Sequence, residues 1–257
     1  MSDWQDRLNS FSWTLRNRFP WAPPPLKRTV TAQWIDENLN QRGRELAQRY
    51  DLSRWPNVCS KTDFTESLYV LDLCDRYLEK KPTTRALDIG CKNWAYLPGL
   101  ATWSGTPWDG VEIDGQRRYL NLATRRSYGE AMTQAFPDCR YIADSLTTID
   151  QQYDLITWFL PFVRQVPHQT WGLPNQLFEP EQLLMHTWGL LKPGGQLLIV
   201  NQGHEEATIQ TALLDQDHIT YTTLGVLSSD CSPFQCTRLG FLITRPDTSD
   251  DLTPPDQ

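Results

Sequence analysis

Three carboxylates stand at the ends of three short apolar runs. They are Asp88 in Leu87-Asp88-Ile89-Gly90-Cys91-Lys92, Glu112 in Gly110-Val111-Glu112-Ile113-Asp114, and Asp144 in Ile142-Ala143-Asp144-Ser145. If the runs are parallel strands of one sheet, their carboxyl ends open on a crevice, where such sheets bind ligands. Glu112 follows Gly90 by 22 residues, a spacing that lets an acid accept both ribose hydroxyls of a nucleoside. A side chain at the third strand end would meet the exocyclic amine of an adenine. Each acid alone has an ordinary use: a turn cap for Asp88, a surface position for Glu112, a turn residue for Asp144. Their placement at three successive strand ends points to a shared ligand.

The elements that must position these acids alternate in type. Strand-like runs cover 86–90, 110–113, 141–143, 153–159 and 197–200, followed by 219–227 and 239–244. Helical patterns fall at 66–77, 95–103, 116–134, 180–191 and, briefly, near 146–151. Pro180 suits a first helical turn, and Lys192-Pro193-Gly194-Gly195 reads as a stop. This grammar predicts an α/β fold, a mostly parallel seven-stranded sheet with helices on both faces and an N-terminal helical extension. The last two strands are too close in sequence for a long crossover, so they should pair antiparallel.

Charge divides the chain. Residues 1–60 hold nine Lys and Arg against six acids, a balance of +3, and five of the eleven tryptophans; the chain as a whole carries −7. That predicts a basic, Trp-rich helical extension over 1–60, broken by Pro23-Pro24-Pro25, a main domain over 61–246, and a frayed tail over 247–257. Net acidity argues against a general nucleic-acid binder. The longest aliphatic run, Leu197 to Val200, is far short of a membrane helix. The acidic N-terminus is no secretory signal. A cytoplasmic protein is expected, with neither nucleic acid nor membrane as partner. The six cysteines form no C-x-x-C pair, and the four histidines share no zinc-ligand spacing, so reduced thiols and no metal are expected.

The constellation over residues 62–245 resembles the class I S-adenosylmethionine-dependent methyltransferases. It has Asp88-Ile89-Gly90 on the first strand, an acid at the second strand end, Asp144 at the third, Leu191-Lys192-Pro193-Gly194-Gly195 before the fifth, and a closing antiparallel strand. The resemblance implies S-adenosylmethionine as cofactor and S-adenosylhomocysteine as product. It implies that Asp88 and Gly90 border the methionine moiety, that Glu112 holds the ribose, and that Asp144 and Ser145 face the adenine. Cys91, Lys92, Ile113, Trp158 and Phe159 would also contact the cofactor. The family loop D-x-G-x-G-x-G is here Asp88-Ile89-Gly90-Cys91-Lys92-Asn93-Trp94. Lys and Trp replace two glycines, so the backbone should approach the cofactor less freely.

A methyl acceptor would bind beyond the fourth strand, where amino methyltransferases of DNA type resemble one another in N/D-P-P-Y/F. This chain has Trp158-Phe159-Leu160-Pro161-Phe162 instead, which argues against adenine or cytosine amines as acceptors. The proline-broken segment that follows carries Phe162, His168, Trp171 and Phe178, an aromatic set suited to a small, partly apolar molecule methylated on oxygen or nitrogen. His168 is the histidine placed to act as a base. Two rivals stand beside this reading: a protein of the same fold that binds the cofactor or a nucleoside without catalysis, and an RNA methyltransferase tethered by residues 1–60.

Overall fold

A computed structural model describes residues 3–247; the expected frayed tail, from 248 on, lies outside them. Helix α1 spans Asp3–Arg18, α2 Ala32–Asn38, α3 Gln41–Arg49 and α4 Lys61–Tyr77. Strand β1 (Ala86–Ile89), helix α5 (Leu97–Ser104), strand β2 (Trp108–Val111), helix α6 (Arg125–Thr133), strand β3 (Arg140–Ile142) and strand β4 (Tyr153–Phe159) follow. The chain continues through α7 (Gln165–Thr170), α8 (Pro180–Leu190), β5 (Leu191–Gln202), α9 (Gly203–Gln216), β6 (Thr222–Val226) and β7 (Arg238–Thr244).

The strands form one sheet in the order β3-β2-β1-β4-β5-β7-β6. Pairing is parallel from β3 to β5, while β7 is antiparallel to both β5 and β6. The predicted α/β architecture and the antiparallel closure are therefore present. All four residues of β1 are buried, as a strand covered on both faces requires. One apolar layer, including Leu71, Leu100, Trp103 and Trp108, packs toward α4 and α5; the other, including Leu184, Leu190 and Leu214, packs toward α8 and α9.

Two expectations need correction. The helical pattern at 116–134 is helical only from Arg125. Residues 117–124 form a tight turn with an antiparallel bridge between Arg118 and Thr124, closed by Tyr119 N–H to Ala123 O at 2.9 Å. Thr124 then caps α6 through a capping box with Ser127, and that cap sets where the helix begins. Residue 60 does not mark a break in packing either: Val30, Ile35, Leu39, Leu46 and Trp55 lie in the same core as α4 and α5. Of the extension, α1 and the proline segment stand apart from that core. All six cysteines are free, five of them buried.

Candidate functional site

A cavity of about 500 Å3 opens at the carboxyl ends of β1, β2 and β4. Its floor comes from Ile89, Gly90, Lys92, Glu112, Ile113 and Ser145, with Trp158 and Phe159 beside them; Phe162, His168, Trp171 and Phe178 form the opposite wall. The sheet places the first group, because β1, β2 and β4 all end at one level: Ile89 pairs with Val111 and with Trp158. The second group is carried by α7 and the loops around it, tied together by aromatic contacts of His168 with Phe162 and Phe178 at 5.5 and 5.3 Å.

Three residues named from the sequence do not face this cavity. Asp88 is fully buried within the sheet and accepts a hydrogen bond from the Thr157 hydroxyl on β4 at 2.7 Å. Cys91 is enclosed beneath the loop, where burial pushes its thiol well up. Asp144 is exposed, its Oδ1 accepting from the Ser145 N–H at 2.7 Å in the turn after β3. Of the three acids, Glu112 alone lines the cavity: it follows the last residue of β2, whereas Asp88 lies inside β1 and Asp144 sits in the exposed turn after β3.

Glu112 is 5% exposed. Its Oε2 accepts from the Lys92 N–H at 2.8 Å; its Oε1 accepts from the Asp114 N–H at 2.8 Å and from Arg125 at 3.2 Å. A carboxylate offers about four lone-pair sites, so one remains on Oε2. The neighbouring Asp114, 1% exposed, takes ion pairs from Arg16, Arg117 and Arg125. Arg117 and Arg125, which sequence reasoning did not assign to the site, both lie in this acid-arginine cluster. The signal in the sequence was a second acid, Asp114, two residues after Glu112.

The loop after β1 holds two residues other than glycine at positive φ. Gly90 has φ +70°, and Lys92 and Trp94 both have φ +53°, so two side-chain-bearing residues adopt the left-handed conformation glycine would take. The Trp94 indole is fully buried and lies against Gly110 of β2, where a Cβ would come within 2.6 Å of its ring.

His168 is 2% exposed, and no hydrogen bond of normal geometry reaches either ring nitrogen, although the Leu177 backbone lies alongside. Burial lowers its pKa below the ordinary value, outweighing the attraction of Asp6, so the ring is neutral at physiological pH. Trp171 sits among three cations, with Lys92, Arg117 and Arg125 at 5.3, 6.0 and 5.0 Å from its ring.

Helix α1 lies outside the cavity wall. Asn9 donates to the carbonyls of Gln169 and Leu173 at 3.0 and 3.2 Å, Asp6 accepts from the Asn175 N–H at 2.7 Å, and Arg16 reaches Asp114 at 2.7 Å. These bonds clamp the 169–175 segment from behind. Among the described residues of this extension, none lines the cavity.

No protein-family model matches the sequence, and no curated protein matches it. Among solved structures, an S-adenosylmethionine-dependent methyltransferase from Aquifex aeolicus is similar over 78% of this chain and 97% of its own, with TM-score 0.50 and 15% identity. A cyclopropane-fatty-acyl-phospholipid synthase-like protein from Lactobacillus casei is similar over 80% of this chain and 100% of its own, with TM-score 0.51 and 11% identity. The fold is that of the class I, Rossmann-like S-adenosylmethionine-dependent methyltransferases.

Proposed function

We propose that the chain is an S-adenosylmethionine-dependent methyltransferase acting on a small, largely apolar acceptor through oxygen or nitrogen, in the cytoplasm. One observation carries the reading: on a methyltransferase fold, a cavity at the strand ends joins an acid with a free lone pair, Glu112, to an aromatic wall. The residues present fit the cofactor. Gly90 leaves open space above it, with nothing within 4 Å of where a Cβ would stand. Glu112 can accept from a ribose hydroxyl, Ile113 and Ser145 lie where a base would rest, and Lys92 offers a cation to a carboxylate. When bound, S-adenosylmethionine supplies an electrophilic methyl group and is left as S-adenosylhomocysteine.

The chain's own residues would hold the acceptor and exclude water, which methyl transfer needs more than a strong base. Phe162, Trp171 and Phe178 supply apolar surface. His168, held neutral, would take the proton of a hydroxyl as its oxygen is methylated, or the proton of an ammonium so that the freed amine can attack. Calorimetry with S-adenosylhomocysteine, then transfer of labelled methyl to apolar small molecules and to total RNA, tests the reading. Binding with transfer to a small molecule supports it. Binding without transfer supports the non-catalytic rival, transfer to RNA supports the other, and no binding rejects all three.

A further inference from the structure

Helix α1 is mounted with its polar side inward. Asp6, Asn9 and Arg16 bond to the protein, as described above. At roughly 100° per residue, Trp4, Leu8, Phe11 and Leu15 fall together on the opposite side. They are bare, at 61, 46, 66 and 49% exposure. The bare surface continues past the helix through Phe19, Trp21 and Leu26. Arg118 fixes this segment by donating to the carbonyls of Phe19 and Trp21, both at 2.8 Å. The same arginine belongs to the 117–124 turn, whose Leu120 and Leu122 are exposed as well, Leu120 completely. Helix, extended segment and turn thus make one convex apolar ridge.

Charge says what covers it. Arg7 and Arg18 fall on one border of the apolar stripe by the same helical geometry, and both are exposed. Asp6, the carboxylate of α1 whose side chain is described, faces the protein. Of the five Lys and Arg of residues 1–30, Arg16 and Lys27 are ion-paired with Asp114 and Asp63, while Arg7, Arg18 and Arg28 are exposed, in a chain whose net charge is −7. A second copy seated on the ridge in an isologous contact would set these arginines against themselves. An exposed helix with Trp, Phe and Leu on one side and arginine at the margin matches an interfacial helix lying on anionic lipid.

We propose that α1 and the 117–124 turn dock this protein onto an anionic bilayer surface, with α1 in the plane of the headgroups and Leu120 entering beside it. The expectation of no membrane partner rested on the lack of a spanning segment, which does not bear on an interfacial helix. Among the described residues no helix is long and apolar enough to cross a membrane, so the contact is peripheral. The proposal is independent of catalysis.

The full chain is floated with vesicles of phosphatidylcholine alone, or mixed with phosphatidylglycerol, at low and at high salt. The bound fraction should be about tenfold greater on the mixed vesicles and fall with salt. The combined variant Leu8→Ser, Phe11→Ser, Leu15→Ser should abolish binding with an unchanged melting temperature. Should that variant melt lower, Leu120→Ser serves instead, since its side chain touches nothing; it should weaken binding several-fold. Wild-type protein that fails to float with the mixed vesicles would overturn the proposal. So would substitutions that leave flotation intact, or a wild-type dimer that the triple variant dissolves while no lipid is bound.

Discussion

Asp88 is predicted to cost stability at neutral pH, and Asp88→Asn to remove that cost. The carboxyl is fully buried in β1, and burial raises its pKa from the ordinary 3.8 to about 7, with hydrogen bonds from Thr157 only partly opposing and Glu112 adding to the rise. A folded-state pKa above the unfolded one means stability is fully present below the unfolded value and lost as pH rises through the folded value. At about 1.4 kcal/mol per pH unit, the loss is about 2 kcal/mol between roughly pH 5 and pH 7, and about 4 kcal/mol in all once pH passes about 8. Asparagine keeps an oxygen for the Thr157 hydroxyl and carries no titrating group. Urea denaturation of both proteins across this range should therefore show a stability difference that moves in favour of the variant as pH rises, then levels off. Curves that run parallel would refute the reasoning, because they would mean Asp88 titrates alike in the folded and unfolded chains.

Glu112→Gln should weaken S-adenosylhomocysteine binding by about 1–3 kcal/mol through the loss of charged hydrogen bonds, read by calorimetry. Asp109, buried in β2, behaves oppositely to Asp88: burial raises its pKa, but hydrogen bonds from Arg85, Arg140 and Tyr153 outweigh that and hold it below the ordinary value. Its contribution should be present above the ordinary carboxylate range and lost as pH falls, and Asp109→Asn should cost about 3–5 kcal/mol in denaturant unfolding. Arg16→Ala, which leaves Asp114 with two of its three arginines, should speed proteolysis within α1 while the melting temperature of the domain changes little.

The centre of the sheet was legible because β1 is fully buried and β4 and β5 largely so, and they read as apolar runs whatever their register. The turn at 117–124 was not, because Tyr119, Leu120 and Leu122 follow a helical period while the backbone bonds that break it are local. Helix α9 was missed for a related reason: its buried stripe includes Gln210 beside Ala207 and Leu214, so the apolar signal is weak. At the site, the strand ends identified Glu112, yet the same rule named Asp88 and Asp144. Strand-end position says which residues are near a crevice. It does not say whether a side chain faces the crevice, the sheet interior or solvent, and a shift of one residue exchanges those faces. The apolar periodicity of α1 was likewise visible, while its orientation was set by Asp6, Asn9 and Arg16, whose partners lie more than 90 residues away.

The loop after β1 reaches left-handed backbone at three positions with one glycine among them. Holding Lys92 and Trp94 at positive φ costs on the order of 1–2 kcal/mol each. Lys92 is secured by backbone bonds that a glycine would keep, Trp94 by side-chain burial that a glycine could not supply. The Lys92 N–H donates to Glu112 and its carbonyl accepts from the Tyr141 hydroxyl, fixing the peptide on both sides. Trp94 buries its whole indole against β2 and meets Tyr141 edge-on, and burying a side chain of that size stabilises by more than the backbone strain. The ring has room because residue 110 is glycine: the small residue that the loop lacks stands instead on the neighbouring strand. Gly110→Ala should therefore be worse tolerated than Lys92→Gly. The first drives a methyl into the Trp94 ring, lowering thermal stability by several kcal/mol as overpacked cores do; the second relieves strain at a position already left-handed and should stabilise by about 1 kcal/mol. If Gly110→Ala melts like the wild type, Trp94 is not held as described, and the loop's shape has another cause.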